Sequence, residues 1–289
     1  MKVSMKRSSE ADTLQSMFRQ SHTIPTLLLL AVAQILPAAS PLYVFDNGTG
    51  RGSLSPTAQS ELAKSTGYAG IFWSGTAGIP ELLAAHQARG MKVAGIYTGI
   101  NLSDPKPAYD PNLPKAIEEL RGSGALITFT VSGKAADGDA IAVPIIREVS
   151  ELAAKAGLRV ALYPHYGFHI ARIEDALRVI GKVKAPNLGL VFNLCHFLRS
   201  GDEANLDVRL REALPHLMMV SINGADHEGD WDRLIQTLDR GAFDWKGFVR
   251  TLDQLGYKGI IALQCYNVKG DTQENLRKSM QAWQSLPRP

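Results

Sequence analysis

Short apolar runs alternate with longer amphipathic segments along residues 41–289. Short apolar runs bounded by turn residues indicate buried parallel strands, and apolar residues three or four positions apart indicate helices. The eight predicted strands are 42–45, 70–73, 92–98, 125–131, 159–165, 188–193, 217–223 and 260–264. Predicted helices lie between them, among others over 55–66, 79–90, 139–157 and 172–183.

Eight strands and about eight helices in roughly 250 residues match an α/β fold, a single (β/α)8 TIM barrel, in count and length. A doubly wound open sheet shows the same alternation, and spacing alone does not separate the two. No Pro-rich or Gly-rich linker divides residues 41–289, so this part of the chain is expected to be one domain.

The first forty residues follow a different pattern. Basic residues precede the run TIPTLLLLAVAQILPAAS, which ends in small residues. This is the layout of a secretory signal peptide, so we expect residues 1–40 to be removed by cleavage near Ala38 to Ser40. The run is short for a membrane span and no basic residue follows it directly, which favours removal over a stable membrane anchor. The mature barrel, 41–289, is expected to be periplasmic or secreted.

Charge excludes one class of partner. The chain has 31 Lys and Arg against 28 Asp and Glu, and four of those basic and two of those acidic residues lie within 1–40, which leaves a mature net charge of +1. A nearly neutral chain without a basic stripe has no surface suited to nucleic acid. The two cysteines, Cys195 and Cys265, end predicted strands that are not neighbours, so both are expected to be free thiols.

Polar side chains gather at the carboxyl ends of the last four predicted strands. Alternation places them inside the barrel, at the rim where barrels of this class carry active sites. The polar inward residues are Tyr163, His165, Asn193, Ser221, Asn223 and Gln264. Strand ends are also polar simply because they approach water, but the recurrence in four successive strands favours a ligand site.

Several segments resemble a known superfamily. YPHYGF, NLGLVFNLCHFL, VSINGAD and GAFDWKGFVRTLDQLGYKGIIALQ resemble the xylose isomerase-like TIM barrel superfamily, the sugar phosphate isomerase/epimerase group. The resemblance is strongest over 158–285, and its most specific piece is Gly241-x-x-Asp244, which leads through a helix to the last strand. It implies the barrel fold and a small-molecule sugar or sugar derivative as the ligand.

The resemblance also implies a divalent metal, held by a Glu, an Asp, a His and a Glu that end strands five to eight, with the two glutamates as acid and base. The corresponding residues here are Tyr163 or His165, Asn193, Ser221 or Asn223, and Gln264. The resemblance therefore implies a divergent member without the usual carboxylates, and no cofactor is expected, because Mg²⁺ and Mn²⁺ favour carboxylate oxygens. If a divalent metal is bound, the candidate ligands are His165, His196 and Asp226.

Enolisation of a sugar or keto-sugar, by an isomerase, an epimerase or a lyase, still needs a base and a group that stabilises the enolate oxygen. Imidazole titrates near neutrality, so the predicted catalytic residues are His165, His196 and Tyr163. The predicted substrate-binding residues are Asn193, Asn223, Gln264, Asp46, Trp73 and Asp226. The alternative is a non-catalytic carbohydrate-binding barrel, and the two inward histidines favour the enzyme. The loop GTGRG, 48–52, is more typical of a flexible βα loop than of an anion site.

Overall fold

A closed barrel of eight parallel strands forms the centre of the molecule, in a computed structural model that describes residue 1 and residues 40–286. Each strand pairs with its neighbours in sequence, and the eighth pairs with the first. The strands are β1 (Leu42–Phe45), β2 (Gly70–Ser74), β3 (Lys92–Asn101), β4 (Leu126–Ser132), β5 (Arg159–Leu162), β6 (Leu188–Asn193), β7 (Leu217–Ile222) and β8 (Ile260–Leu263). The predicted (β/α)8 barrel is confirmed, whereas the predicted signal peptide falls almost wholly outside the described residues.

Helices follow the strands around the outside of the barrel. In the described part of the chain they are α1 (Pro56–Ser65), α2 (Ile79–Gln87), α3 (Leu113–Glu119), α4 (Gly138–Lys155), α5 (Ile173–Val183), α6 (Leu194–Arg199), α7 (Leu206–Ala213), α8 (Trp231–Leu234), α9 (Trp245–Gln254) and α10 (Thr272–Gln284). The start of α1 has the residues typical of a helix N-terminus. Pro56 is its first residue, and the Ser55 side chain caps it by accepting a hydrogen bond from the Ala58 N–H. Over the described residues, none of these helices is long and apolar enough to span a membrane.

Two hydrophobic clusters divide the molecule into an inside and an outside layer. The larger one lies between the strands and the helices. The smaller one fills the barrel with Phe45, Phe72, Ala94, Leu126, Ala161, Tyr163, Val191, Met219 and Ala262. Strand alternation predicted Ala161, Tyr163, Val191, Met219 and Ala262 at these inward positions, which is confirmed. The barrel is therefore packed with side chains, and we call this inner cluster the barrel plug.

The fifth strand is shorter than the sequence pattern predicts. It ends at Leu162, three residues before His165, and residues 163–170 form a loop. Pro164 has no N–H to offer a neighbouring strand, which explains the early end. The loop stays tied to the barrel because the Tyr163 N–H donates to the Phe129 carbonyl at 2.9 Å. His165 is consequently a loop residue whose position depends on tertiary contacts.

Both cysteines are free thiols, as predicted. Cys195 is buried at the start of α6, and Cys265 follows β8, so β7 separates the two strands that carry them. Burial raises the pKa of each thiol to about 12, so neither is a thiolate at neutral pH.

Candidate active site

A cavity of about 440 Å³ opens at the carboxyl ends of the strands. Its polar lining residues are Asn47, Arg51, Ser74, His165, His196 and Gln264. Its aromatic and apolar lining residues are Phe45, Tyr97, Tyr163, Trp231, Ile235 and Tyr266. Phe45 and Tyr163 also belong to the barrel plug, so they form the floor of the cavity. Among these lining residues there is no carboxylate.

Two histidines stand together on one side of the cavity. His165 lies in the loop after β5, and His196 lies on α6, directly after β6. Their ring centroids are 3.8 Å apart, with the planes tilted by 38°. Phe168 stacks on the other side of the His165 ring, also with a centroid distance of 3.8 Å. The predicted pairing of the two histidines at adjacent strand ends is therefore present in the structure.

The backbone of Tyr166 sets the tautomer of both rings. His165 Nδ1 lies 3.1 Å from the Tyr166 carbonyl oxygen, and because that oxygen can only accept, Nδ1 carries the proton. The Tyr166 N–H donates to His196 Nδ1 at 3.3 Å, so this nitrogen holds a lone pair. The remaining nitrogens are therefore opposite in character. Nε2 of His165 is an acceptor, and Nε2 of His196 is a donor.

Burial keeps the pair neutral. Desolvation lowers the pKa of His165, and the hydrogen bond to the Tyr166 carbonyl opposes this only in part. Burial, with a smaller contribution from the neighbouring His165, lowers the pKa of His196 to about 2. A neutral base and a neutral N–H donor at one wall are suited to proton transfer.

Gln264 stands at the tip of β8, at the position where the superfamily resemblance implies a glutamate. Its Oε1 accepts hydrogen bonds from Asn47 Nδ2 at 2.6 Å and from the N–H groups of Cys265 and Tyr266, both at 3.0 Å. Its Nε2 donates to the Tyr163 hydroxyl at 3.4 Å. The amide therefore joins the loops after β8 and β1 and orients Tyr163. Burial raises the pKa of Tyr163 well above its usual value, so its phenol stays protonated.

Asp46 was predicted to bind substrate but does not line the cavity. It is fully buried at the end of β1, and its carboxylate accepts from the Ser74 N–H at 2.8 Å and from the Ser74 hydroxyl at 2.7 Å. Burial raises the pKa of Asp46, while the bonds from Ser74 and the nearby Arg51 oppose that shift. Asp46 thus positions two lining residues, Ser74 and Arg51, from behind the wall.

Asn193 and Asn223 are inward and buried, as alternation predicts, but neither lines this cavity. Asn193 Nδ2 lies 3.5 Å from the Pro164 carbonyl, and its Oδ1 accepts from Cys195 Sγ at 3.3 Å. Asn223 Nδ2 donates to the Leu234 carbonyl at 2.6 Å. The loop backbone after β5 and β7 thus accepts from the two amide nitrogens, whereas Asn223 Oδ1 is buried without a hydrogen-bond partner among the described residues. The substrate contacts of both residues stay a prediction.

Asp226 and Trp73 also lie away from the lining. Asp226 accepts from Arg233 Nε at 2.5 Å and from the Ala242 N–H at 3.0 Å, contacts that close the loop after β7. Hydrogen bonding from Arg233 lowers the pKa of Asp226, so it stays ionised. Trp73 packs against the outer cluster and donates from Nε1 to the Ala77 carbonyl at 3.2 Å. Neither residue lines this cavity, and their ligand contacts stay a prediction.

The donor set does not fit the divalent metal that the family implies. Gln264 Oε1 and His196 Nδ1 already accept N–H groups, and no carboxylate faces the cavity. Asp226 does not join His165 and His196, so the three candidate ligands do not form one site. Over the described residues, no three His, Cys, Asp or Glu side chains form a group that could hold a metal ion. We derive no chemical step through a metal.

Sequence reasoning missed part of the lining. Asn47, Arg51 and Ser74 come from the loop after β1 and the tip of β2, whereas Trp231 and Ile235 come from the loop after β7. The loop GTGRG could have indicated Arg51, because it places one basic residue just after the first strand, at the rim that carries the site. No local pattern marks Trp231 or Ile235, because the path of their loop depends on distant contacts.

Residues 60–286 match the family described as xylose isomerase-like TIM barrel. The fold is similar to that of 3-keto-D-glucoside 4-epimerase from E. coli, with a TM-score of 0.68, 17% identity, and 85% of this chain and 98% of that chain covered. It is also similar to D-allulose 3-epimerase from Methylomonas sp. in complex with D-allulose, with a TM-score of 0.70, 16% identity, and 86% and 98% covered. A probable 3-DHS dehydratase from Bacillus anthracis has a TM-score of 0.65 at 16% identity, with 83% and 97% covered. No curated protein matches the chain.

Proposed function

Because the chain belongs to the xylose isomerase-like TIM barrel family, we propose that it binds a sugar or keto-sugar in this cavity and moves a proton beside the carbonyl group. The reaction is that of an isomerase, an epimerase or a lyase. The similar folds of two sugar epimerases support the ligand class. The observation that carries the proposal is the pair of neutral histidines in opposite tautomers beside one cavity.

His165 is the base of the proposed reaction. Its Nε2 lone pair takes the proton from the carbon next to the carbonyl, and the electron pair of that C–H bond forms the enolate. A lowered pKa keeps this lone pair available at neutral pH. Return of the proton to the former carbonyl carbon, together with transfer of a proton from the neighbouring hydroxyl to the former carbonyl oxygen, gives an isomer. Protonation of the same carbon from its opposite face by water gives an epimer, and His165 then releases its proton to solvent. Donation of the His165 proton to a β-hydroxyl, which leaves as water, gives an elimination product.

His196 and Tyr163 stabilise the enolate oxygen in this scheme. Both are neutral donors at neutral pH, His196 through Nε2–H and Tyr163 through its hydroxyl, and the two rings lie 6.5 Å apart between centroids. Preorganised donors stabilise developing negative charge strongly. In this scheme, the rings of His196 and Tyr163 stabilise the negative charge of the enolate oxygen without a metal ion.

Deuterium exchange tests this chemistry whichever product forms. The protein is incubated in D2O with D-allulose, D-fructose and 3-keto-D-glucose, and loss of the C–H signal next to the carbonyl is followed by proton NMR. We expect exchange with at least one of these sugars. His165→Asn keeps a donor for the Tyr166 carbonyl but removes Nε2, so it should slow the exchange by roughly a hundredfold or more.

The matched control is His227→Asn, because His227 is an exposed histidine paired with Glu203 in the loop after β7. It should leave the exchange rate unchanged. Full exchange in a His165→Asn, His196→Asn double variant would remove the histidines from the mechanism. Sugar binding without exchange in the unaltered protein would favour the carbohydrate-binding barrel instead.

A further inference from the structure

One cation faces the cavity from the side opposite the histidines. In the closed barrel, β1 and β5 are four strands apart in either direction, so the loops that follow them lie across the mouth from one another. Arg51 is in the loop after β1, and His165 is in the loop after β5. A ligand that spans the cavity therefore meets the histidines at one end and Arg51 at the other.

The guanidinium of Arg51 is held in place by one hydrogen bond, and its other nitrogens remain available to a ligand. Its Nη1 donates to the Ser74 hydroxyl at 2.8 Å, and that hydroxyl donates its own proton to the buried Asp46 carboxylate. The direct distance from Nη1 to Asp46 Oδ1 is 3.8 Å. Within the described chain, Nε and Nη2 of Arg51 have no hydrogen-bond acceptor, and 43% of the side chain is exposed.

The charge of the cavity wall comes from this one residue. No carboxylate lines the cavity, and His165 and His196 are neutral because burial lowers the pKa of each. Asp46 balances part of the arginine charge, but it lies behind Ser74 and is fully buried. A ligand entering the cavity contacts the guanidinium and not the carboxylate.

We infer that the ligand is a sugar acid whose carboxylate binds Arg51, at the end of the molecule remote from the carbon held at His165. A planar guanidinium with two free nitrogens matches the two oxygens of a carboxylate. One cation suits a single negative charge, whereas a phosphate dianion would meet no second cation on this wall. The assignment of the reacting end rests on the proposed function, but the preference for a remote carboxylate does not.

Matched sugars test the inference by binding alone. D-glucuronate carries its carboxylate at the end remote from its carbonyl carbon, and D-glucose is its neutral counterpart. Isothermal titration calorimetry should show at least about tenfold tighter binding of D-glucuronate, since charge-assisted hydrogen bonds of this kind contribute that much or more. Added salt should reduce the preference, because Arg51 is partly exposed.

Two substitutions of Arg51 and one control localise the effect. Arg51→Gln should abolish the preference for D-glucuronate while D-glucose binding stays within about twofold, and Arg51→Lys should keep part of it, since the charge remains without the fork. Lys269→Gln removes an exposed cation from the loop after β8 that does not line the cavity, and it should change nothing.

Equal affinity for the two sugars, no binding of D-glucuronate, or an unchanged preference in Arg51→Gln would each overturn the inference. Tighter binding of D-glucose 6-phosphate than of D-glucuronate would overturn the choice of a carboxylate. The two proposals fail separately: a D-glucuronate preference that depends on Arg51 without any C–H exchange contradicts the proposed function alone. Exchange without the preference contradicts this inference alone.

Discussion

At the residue scale, Tyr166 links the two histidines through its peptide groups. Its carbonyl accepts from His165 and its N–H donates to His196, while the residue as a whole is 44% exposed at the rim. The peptide groups of Tyr166 thus fix both tautomers, and these groups do not change protonation with pH. The pair keeps its donor and acceptor arrangement over the whole pH range in which both rings are neutral.

Buried His196 should make the stability of the fold depend on pH. Its folded-state pKa of about 2 lies below the value of about 6.5 in an unfolded chain, so only the unfolded chain takes up this proton as the pH falls below 6.5. Stability is therefore full above pH 6.5 and is lost towards lower pH. Two pH units below, at pH 4.5, the loss from this residue is about 3 kcal/mol.

Urea unfolding at pH 7 and at pH 4.5 measures this effect in the unaltered protein and in His196→Asn, which keeps an acceptor for the Tyr166 N–H. The fall in unfolding free energy between the two pH values should be about 3 kcal/mol smaller in the variant. His227→Asn should behave like the unaltered protein because its side chain is exposed. An equal fall in all three proteins would contradict the prediction.

Gln264 should matter for stability as well as for the ligand. Gln264→Leu leaves Asn47 Nδ2 and the Tyr266 N–H without their acceptor, and it leaves the Cys265 N–H with Asn47 Oδ1 alone, at 3.2 Å. The unfolding free energy should therefore drop by about 2 kcal/mol or more. Gln264→Glu keeps an acceptor for all three and should lose less. Urea titrations of both variants check the order, and a leucine variant as stable as the unaltered protein would refute it.

At the element scale, the strands form the frame, and the loops after β1, β5, β7 and β8 complete the cavity. The Gln264–Asn47 hydrogen bond joins the loop after β8 to the loop after β1. The loop after β7, residues 223–244, carries Trp231 and Ile235 into the lining, and it is closed by Asp226. Residues outside the cavity therefore decide where part of its wall lies.

Asp226→Ala should loosen the loop after β7 without disturbing the barrel. The substitution removes the acceptor of the Ala242 N–H and the partner of Arg233, so local opening should become easier. Hydrogen exchange should show amides in 224–243 exchanging about tenfold faster, while strand amides keep their protection. Asp232→Ala is the control, since Asp232 is exposed on α8 in the same loop. Unchanged protection at Ala242 would contradict the proposed role.

At the scale of the whole molecule, closure of the barrel sets the distance between functional groups. The β8 strand pairs with β1, so chain segments more than two hundred residues apart meet at Gln264 and Asn47. The same closure places Arg51 opposite His165. A cavity with a cation at one end and neutral histidines at the other follows from strand order.

We also propose that the protein acts after export, with its N-terminal segment removed. The Ser40 carbonyl accepts a hydrogen bond from Trp283 Nε1 at 3.1 Å, so Ser40 contacts α10 of the barrel. N-terminal sequencing of protein from the periplasm or the medium should therefore find a chain that starts near Ala38 to Ser40. An intact Met1 on exported protein would contradict this prediction.

The sequence by itself determined the alternation of strands and helices and the inward faces of the strands, whereas closure of the sheet into a barrel is a tertiary property. Periodicity of two along a strand and between three and four along a helix is a local property, so it identified eight strands and the plug residues Ala161, Val191, Met219 and Ala262. It also placed His165, His196 and Tyr163 at one rim, where the structure finds them.

The tertiary structure decided which polar residues are left to face a ligand. Asn193, Asn223 and Asp226 have the same residue types as ligand-binding groups, but the amide nitrogens of Asn193 and Asn223 donate to loop carbonyls and Asp226 accepts from Arg233. Arg51 faces the cavity because the loop after β1 folds over the mouth. A buried polar group must find its partner wherever the fold provides one, and that partner is set by contacts between distant segments that no local pattern records.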